Sequence, residues 1–486
     1  MNTRANVRSC NKTYRRGVGI AVLVTIAIAA MFLVRTVLML QNSPFTGTMM
    51  QQKIADPSKP NDPSLEGLLK RQSTTLEDAV QKYQLKLGRS PPKGYADWFT
   101  SAIEKKCLID DYDIIWEDLA PYHQLGGNEF RRRLDILKDG THRVFNVHIK
   151  DGTADAGGKW NPIFKNSIKT VRDMDLVLNE LDEPRILFNS NRDGPRMVTA
   201  LADPNKLSSE SPNWFRANGG EHLQLMKDSC HVYSPTKPLQ QPHEFHGYLQ
   251  WPMSNIYTRM LLPILSQSRI SNCFKDILIP SIYYYHLYAG GSSQADSYPW
   301  QNRLPKAYWR GSTTGGWNQN GNWKTSHRFR LMTLVSHRPD LYNVAFTKAV
   351  QCHSNDCLKL SKEYKTVSHE SFETVYKYKY ALDVDGNTFS GRFFRLLESQ
   401  TLVFKATIFD EFFQRWIVPW EHYIPIEMDF SDLDQKIEWA KNNDDKARRI
   451  AENGRRFAER ILNKPQMECY TELLLLEMAH LMHNMQ

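Results

Sequence analysis

The first 40 residues contain no acidic side chain, and the 486-residue chain has no Asn-x-Ser/Thr sequon beyond Asn11-Lys12-Thr13. An internal repeat of roughly 20–50 residues is also missing, which excludes solenoids and propellers. No Gly-rich loop ends in the Lys of a P-loop, and none has the spacing of a dinucleotide fingerprint. With 41% hydrophobic and 24% charged residues, the chain is not wholesale disordered, collagen-like or a multi-span membrane protein. Its length fits about two or three ordinary domains.

What is present begins with charge. Lys+Arg number 62 against 53 Asp+Glu, a net of +9. Six of those cations, at 4, 8, 12, 15, 16 and 35, fall in the acid-free first 40 residues; removing them leaves 56 against 53, only +3. A nucleic-acid partner is therefore not expected, and no helix or arm joins base-reading Arg to stacking aromatics.

Gly17 to Val34 runs 18 residues without a charge, and apolar residues continue past Arg35 to Leu40. A membrane-crossing helix needs about 20 mostly apolar residues. Basic residues before the span predict a cytosolic N-terminus and a lumenal body, a single-pass type II anchor of the Golgi kind. A cleaved secretory signal is the alternative. The expected organisation is a cytosolic tail (1–16), the anchor (17–40) and a Pro/Ser/Gln/Asn-rich stem (41–85) with one helix near Leu65 to Leu85. An N-terminal acceptor-side domain (86–300) and a C-terminal donor-binding domain (301–486) follow. Six of the seven cysteines lie on the lumenal side, enough for three disulfides. Cys352 and Cys357, in the polar loop CHSNDC, are the natural pair; a zinc site there is the rival, although no second Cys/His cluster has ligand spacing.

In the first half, strand candidates are Arg143–His148, Asp175–Asn179 and Arg185–Phe188. The second half reads as strand 307–309, helix 322–337, strands 341–347 and 380–384, a turn at 385–387, a helix to Ser399, strand 401–405 and closing helices at 431–443, 445–463 and 467–483. Strands alternating with helices predict parallel βαβ units, and two such halves would face a crevice.

Two segments could carry chemistry. Tyr308-Trp309-Arg310-Gly311-Ser312-Thr313-Thr314-Gly315-Gly316 puts an Arg and a hydroxyl-rich loop just after a strand, a cradle for an anion or an ordinary tight turn. Leu382-Asp383-Val384-Asp385-Gly386-Asn387-Thr388-Phe389-Ser390-Gly391-Arg392 is strand, turn and helix start, with Ser390 as the expected N-cap and Arg392 beside the helix N-terminus. Two anion-cradling strand ends suit a diphosphate. Asp383 with Asp385, and Asp173 with Asp175, also spell Asp-x-Asp, which could hold a divalent metal.

WRGSTTGG, then Trp323 and His327-Arg328, LDVDGNTFSGR, SQTLVFK and PWEHYIPI occur in an order that resembles glycosyltransferase family 90. GRSPPKGYADW and SQSRISNCFKDILIPSIYYY, upstream, resemble its capsule-associated, xylosyltransferase-like branch, which is related to the protein O-glucosyltransferases. The resemblance spans residues 86 to 480. It implies an α/β GT-B fold of two Rossmann-like domains, a UDP-sugar donor, a glycan or glycoprotein acceptor, and inversion without a bound metal. An Asn-x-x-Asp-x-Pro pattern in relatives carries the general base, which falls here on Asp182, with Glu180 and Glu183 as competitors. Arg310 and Arg392 would grip the diphosphate beside Gly311, Ser312, Thr313, Ser390 and Gly391. His327 and Arg328 either help with phosphate or cap and solvate their helix. Glu398, where relatives often have a small residue, either touches ribose or faces solvent.

The expected function is therefore transfer of a sugar, xylose above others, from its UDP donor to a surface or secretory glycan. A UDP-glucose-dependent protein O-glucosyltransferase and a non-catalytic glycan-binding protein on the same fold are the rivals.

Overall fold

The computed structural model describes residues 62, 64–138, 140–187, 214–230, 246–287 and 295–483. The expected tail and anchor, and the stem before residue 62, lie outside the described residues. Among the described residues no helix is long and apolar enough to cross a membrane. The expected stem helix is two, Leu65–Lys70 and Leu76–Leu87, because Thr75 caps the second: its hydroxyl accepts from the Asp78 amide.

The first half is built on a five-stranded sheet. Its strands are β1 (Val144–Lys150), β2 (Thr153–Asp155) and β3 (Met174–Asn179), followed by β6 (Ile264–Ser266) and β7 (Ile277–Leu278) in the order β2-β1-β3-β6-β7. β4 (Phe215–Arg216) and β5 (Ile256–Tyr257) form a separate small ladder. This half departs from the expected purely parallel unit. β1 runs antiparallel to both β2 and β3, and only β3, β6 and β7 pair in parallel. The reason is local: Asp151 and Gly152 both take positive φ (49° and 69°), which closes β1 and β2 into a two-residue hairpin. Of the expected strand Arg185–Phe188, Ile186 and Leu187 form isolated bridges to Thr258 and Phe274, and Phe188 lies outside the described residues.

The second half holds β8 (Leu304–Ser312), β9 (Tyr342–Lys348), β10 (Tyr378–Val384), β11 (Leu402–Ala406) and β12 (Ile424–Pro425). All its pairings are parallel, in the order β12-β11-β10-β8-β9. β10 and β11 are near-continuous buried runs, as expected for a sheet covered on both faces. Starting from β8, the chain lays β9 on one side and then β10 on the other. The order therefore reverses between β8 and β10, and in such sheets ligands bind outside the carboxyl ends of the strands at that point.

The last helix, Lys464–His483, is buried nearly all round and packs on helices of the first half. Its buried Glu477 accepts from Tyr83 Oη (2.7 Å), Trp116 Nε1 (3.0 Å) and Arg89 Nη2 (2.6 Å). Disulfides join Cys107 to Cys469, Cys230 to Cys273 and Cys352 to Cys357, so the CHSNDC pair forms as expected and no thiol there is left for zinc.

Candidate active site

A cleft of about 580 Å³ opens at the carboxyl ends of β8 and β10 and is closed on its far side by residues of the first half. Asp182, Arg310, Ser312, Asn387, Ser390 and Arg392 all line it. Asp182 follows β3 and is presented by Asn179. The Asn179 Oδ1 accepts from the Leu181 amide (3.0 Å), and its Nδ2 donates to Glu183 O (2.8 Å), so the side chain folds the turn that turns Asp182 outward. This gives the Asn-x-x-Asp spacing a physical reason. Asp182 Oδ1 accepts from the Tyr283 hydroxyl at 3.3 Å and Oδ2 from Asn387 Nδ2 at 3.4 Å. Beside the Asp182 charge, and above all through its own burial, the Tyr283 hydroxyl is pushed up to about 12.

Neither competing carboxylate reaches the cleft. Glu180 pairs with Arg143 at 2.9 Å. Glu183 is buried against the amide and hydroxyl of Ser254, and burial pushes it up to about 7.

Around the cleft the cations differ sharply in what they have left to offer. All three nitrogens of Arg310 are engaged: Nη2 and Nε by Glu370 Oε1 (2.9 and 3.2 Å), Nη1 by the carbonyls of Trp309 and Asn343, and Nη2 again by Asn343 Oδ1. Arg328 is a clamp. It donates to Asp385 O (2.7 Å) and Val384 O (3.3 Å) on one loop, and to Ser312 O (2.9 Å) and Thr314 Oγ1 (2.6 Å) on the other. Burial first, then the neighbouring Arg392, pulls its pKa down to about 9. Arg392 donates through Nη1 to Arg310 O at 2.5 Å and lies over the Trp309 ring; among the described residues it has no carboxylate partner. Burial lowers its pKa against the pull of Asp383 and Tyr308. A half-buried guanidinium without a carboxylate partner is the complement of an anion.

Residues 290–485 match the profile described as Glycosyl transferase family 90. Residues 290–485 form a family 90 glycosyltransferase domain. The chain is 32% identical over 183 residues to Protein O-glucosyltransferase 2 of Danio rerio, covering 37% of this chain and 34% of that one. It is 31% identical over 172 residues to Protein O-glucosyltransferase 3 of Rattus norvegicus (35% and 31% covered). Against Protein O-glucosyltransferase 1 of Homo sapiens it is 28% identical over 299 residues (56% and 69% covered). The chain thus spans about a third of the length of the first two of these relatives.

Within this family 90 domain several expected site residues turn away from the cleft. Thr313 is buried, and its hydroxyl exchanges hydrogen bonds with Val350 O and N, each at 2.8 Å. Asp383 pairs with the buried Lys405 at 2.8 Å. Asp385 accepts from the Ile408 amide at 2.9 Å and faces His246, and burial pushes it up to about 6. Alternate residues of a strand share one face, and here that face points into the interior. Outside that domain, in the first half, the Asp173 and Asp175 pair is likewise engaged, by the Asp151 amide and by His148 and Lys138. Among the described residues no group of three or more His, Cys, Asp or Glu is arranged to hold a metal.

Three further expectations need correction. Ser390 is not the N-cap, because the helix Phe393–Glu398 begins three residues later; Ser390 instead lines the cleft with a buried hydroxyl that has no partner among the described residues. His327 neither caps nor solvates a helix. It is fully buried, donates from Nε2 to Asp385 O (2.8 Å), accepts at Nδ1 from the Gly247 amide (3.2 Å) and stacks on His246 at 4.0 Å. Burial holds it well below the usual imidazole range, so it adds no charge for phosphate. Glu398 is 2% exposed and does not line the cleft, so it meets neither solvent nor a ligand there. Gly311, Ser312 and Gly391 line the cleft, and Arg328 lines it as a clamp.

Sequence reasoning missed Tyr283, Asn387 and Glu370. Each acts through a partner more than 50 residues away in the chain, which no local pattern signals.

Proposed function

We propose that this chain is an inverting, GT-B-type glycosyltransferase that moves xylose from UDP-xylose to a hydroxyl of a surface or secretory-pathway glycan. One observation carries the reading: a carboxylate from the first half, Asp182, and a guanidinium at the switch point of the second, Arg392, which has no carboxylate partner among the described residues, line the same cleft. Asp182 takes the proton of the acceptor hydroxyl as its oxygen attacks the anomeric carbon, from the face opposite the donor's diphosphate. The bond from that carbon to the β-phosphate oxygen breaks, and UDP departs with the charge. Arg392, with Ser312 and Ser390 beside it, would stabilise that charge as it develops. Attack from one face and departure from the other inverts the configuration.

The Golgi membrane, with the body in the lumen and the segment 17–40 as anchor, is the proposed setting; six disulfide-bonded cysteines support an oxidising compartment. A second reading takes UDP-glucose and a protein hydroxyl, and it is favoured by the relatives named protein O-glucosyltransferases. The test is a UDP-sugar panel with the full chain in detergent, reading UDP release with simple glycosides and folded protein domains as acceptors. UDP-xylose turnover on glycosides is the expected result. UDP-glucose turnover on protein alone would favour the second reading, and turnover by Asp182→Asn at the normal rate would overturn the mechanism.

A further inference from the structure

We propose that Asn387 is a positioning residue that ties the loop after β8 to the general base. The inference rests on Asp182 being that base. The Gly315 amide lies 3.2 Å from Asn387 Oδ1, and Asn387 Nδ2 lies 3.4 Å from Asp182 Oδ2. A backbone N–H can only donate, so the carboxamide oxygen must face Gly315 and the NH₂ must face Asp182. The orientation of Asn387 is thereby set by chemistry.

The strut is anchored at both ends. Gly315 has φ +112°, and a Cβ there would sit 2.6 Å from His327 Cε1. Only glycine delivers its amide to that spot. Arg328 holds the loop of Asn387 by the carbonyls of Val384 and Asp385, and the loop of Gly315 by Ser312 and Thr314. Asp182 stands 205 positions earlier in the chain, on the opposite wall of the cleft. Tyr283 donates to its other oxygen, so the carboxylate plane is fixed by one donor from each half. Both donors are neutral. They aim the carboxylate without placing a positive charge beside it. The base is therefore aligned only when the β8 loop is in place, which makes one side-chain amide the link between the donor side and proton transfer.

The test uses the full-length protein with Asn387→Ala, Asn387→Asp and Asp182→Asn, and measures UDP binding as well as turnover. Asn387→Ala is expected to keep UDP affinity and donor KM within about threefold while kcat falls about 100-fold, the loss that follows small misplacement of a reacting group. Asn387→Asp places a second carboxylate beside Asp182, and the acidic limb of the kcat/KM profile should move up by about one pH unit. If kcat of Asn387→Ala stays within threefold, or falls only in step with UDP affinity, the positioning role is overturned. It is equally overturned if the Asn387→Asp limb does not move. Normal turnover by Asp182→Asn would overturn the base assignment itself. An inactive Asp182→Asn with a fully active Asn387→Ala would overturn the strut alone.

Discussion

Arg310 Nη2 meets Glu370 Oε1 at 2.9 Å, and the Tyr308 hydroxyl donates to the other oxygen of that carboxylate, also at 2.9 Å. Burial alone would raise the Glu370 pKa, but the donors from Tyr308 and Arg310 hold it below the ordinary range. The motif arginine lines the cleft and also braces one of its walls. Replacing it should first be felt in folding. Arg310→Ala is expected to lower stability by about 2 kcal/mol, since it leaves Asn343 and Glu370 without their donor. Arg392→Ala should show the reverse pattern, a small change in denaturant midpoint and UDP affinity weaker by about 10- to 100-fold, the worth of one charge-assisted hydrogen bond. Calorimetric UDP titration beside urea unfolding of both variants checks this. Equal loss of UDP affinity in the two would refute the division of roles.

The buried Glu398 makes stability depend on pH in an unusual direction. Burial, with the Glu459 charge added, pushes it up to about 7 from 4.5, against Arg395 and Arg455. The unfolded chain loses this proton near pH 4.5, while the folded chain keeps it until about 7. Between those values the folded state binds the extra proton, so stability falls as pH rises through the window. Glu398→Gln removes that loss. The variant should match the wild type at pH 4 and exceed it at pH 8, by an amount on the order of 2–3 kcal/mol. Urea midpoints that stay equal at both pH values would count against it.

Gly247 of the first half touches the β8 loop backbone to backbone. A Cβ on Gly247 would fall 1.6 Å from Gly315 O, with Ser326 Oγ at 2.9 Å. The nearest atoms belong to backbone, so the chain itself must shift. Gly247→Ala should therefore pry the two walls apart, costing about 3 kcal/mol or more and most of the turnover. A variant with unchanged melting temperature and rate would show that this contact is dispensable.

The second sheet was largely legible because its strands are apolar runs bounded by turn residues; β10 and β11 fall within two residues of the sequence expectation at each end. The first half was less so, since antiparallel β1 depends on a hairpin at Asp151-Gly152 that apolar patterning does not report. Among site residues, Asp182 could be found because Asn179 lies three positions before it and folds its turn. The direction of Asp383 and Asp385 could not be read, because their facing depends on Lys405, one strand away. Glu398 misled for a related reason: a carboxylate at a helix end reads as solvent-facing, and only tertiary packing buries it.

The final helix has a mechanical consequence. The chain leaves the first half near Ser297, builds the second sheet, and returns through Ile461 to a helix stapled to Cys107 by Cys469. Asp296 and Arg455, one from each crossover, meet at 2.5 Å, and Arg303 between them grips the carbonyls of Ala295, Ser399 and Gln400. The second sheet is thus closed at its base like a ring: its way in and its way out are tied to each other at Asp296 and Arg455, and the way out is joined covalently to the first half.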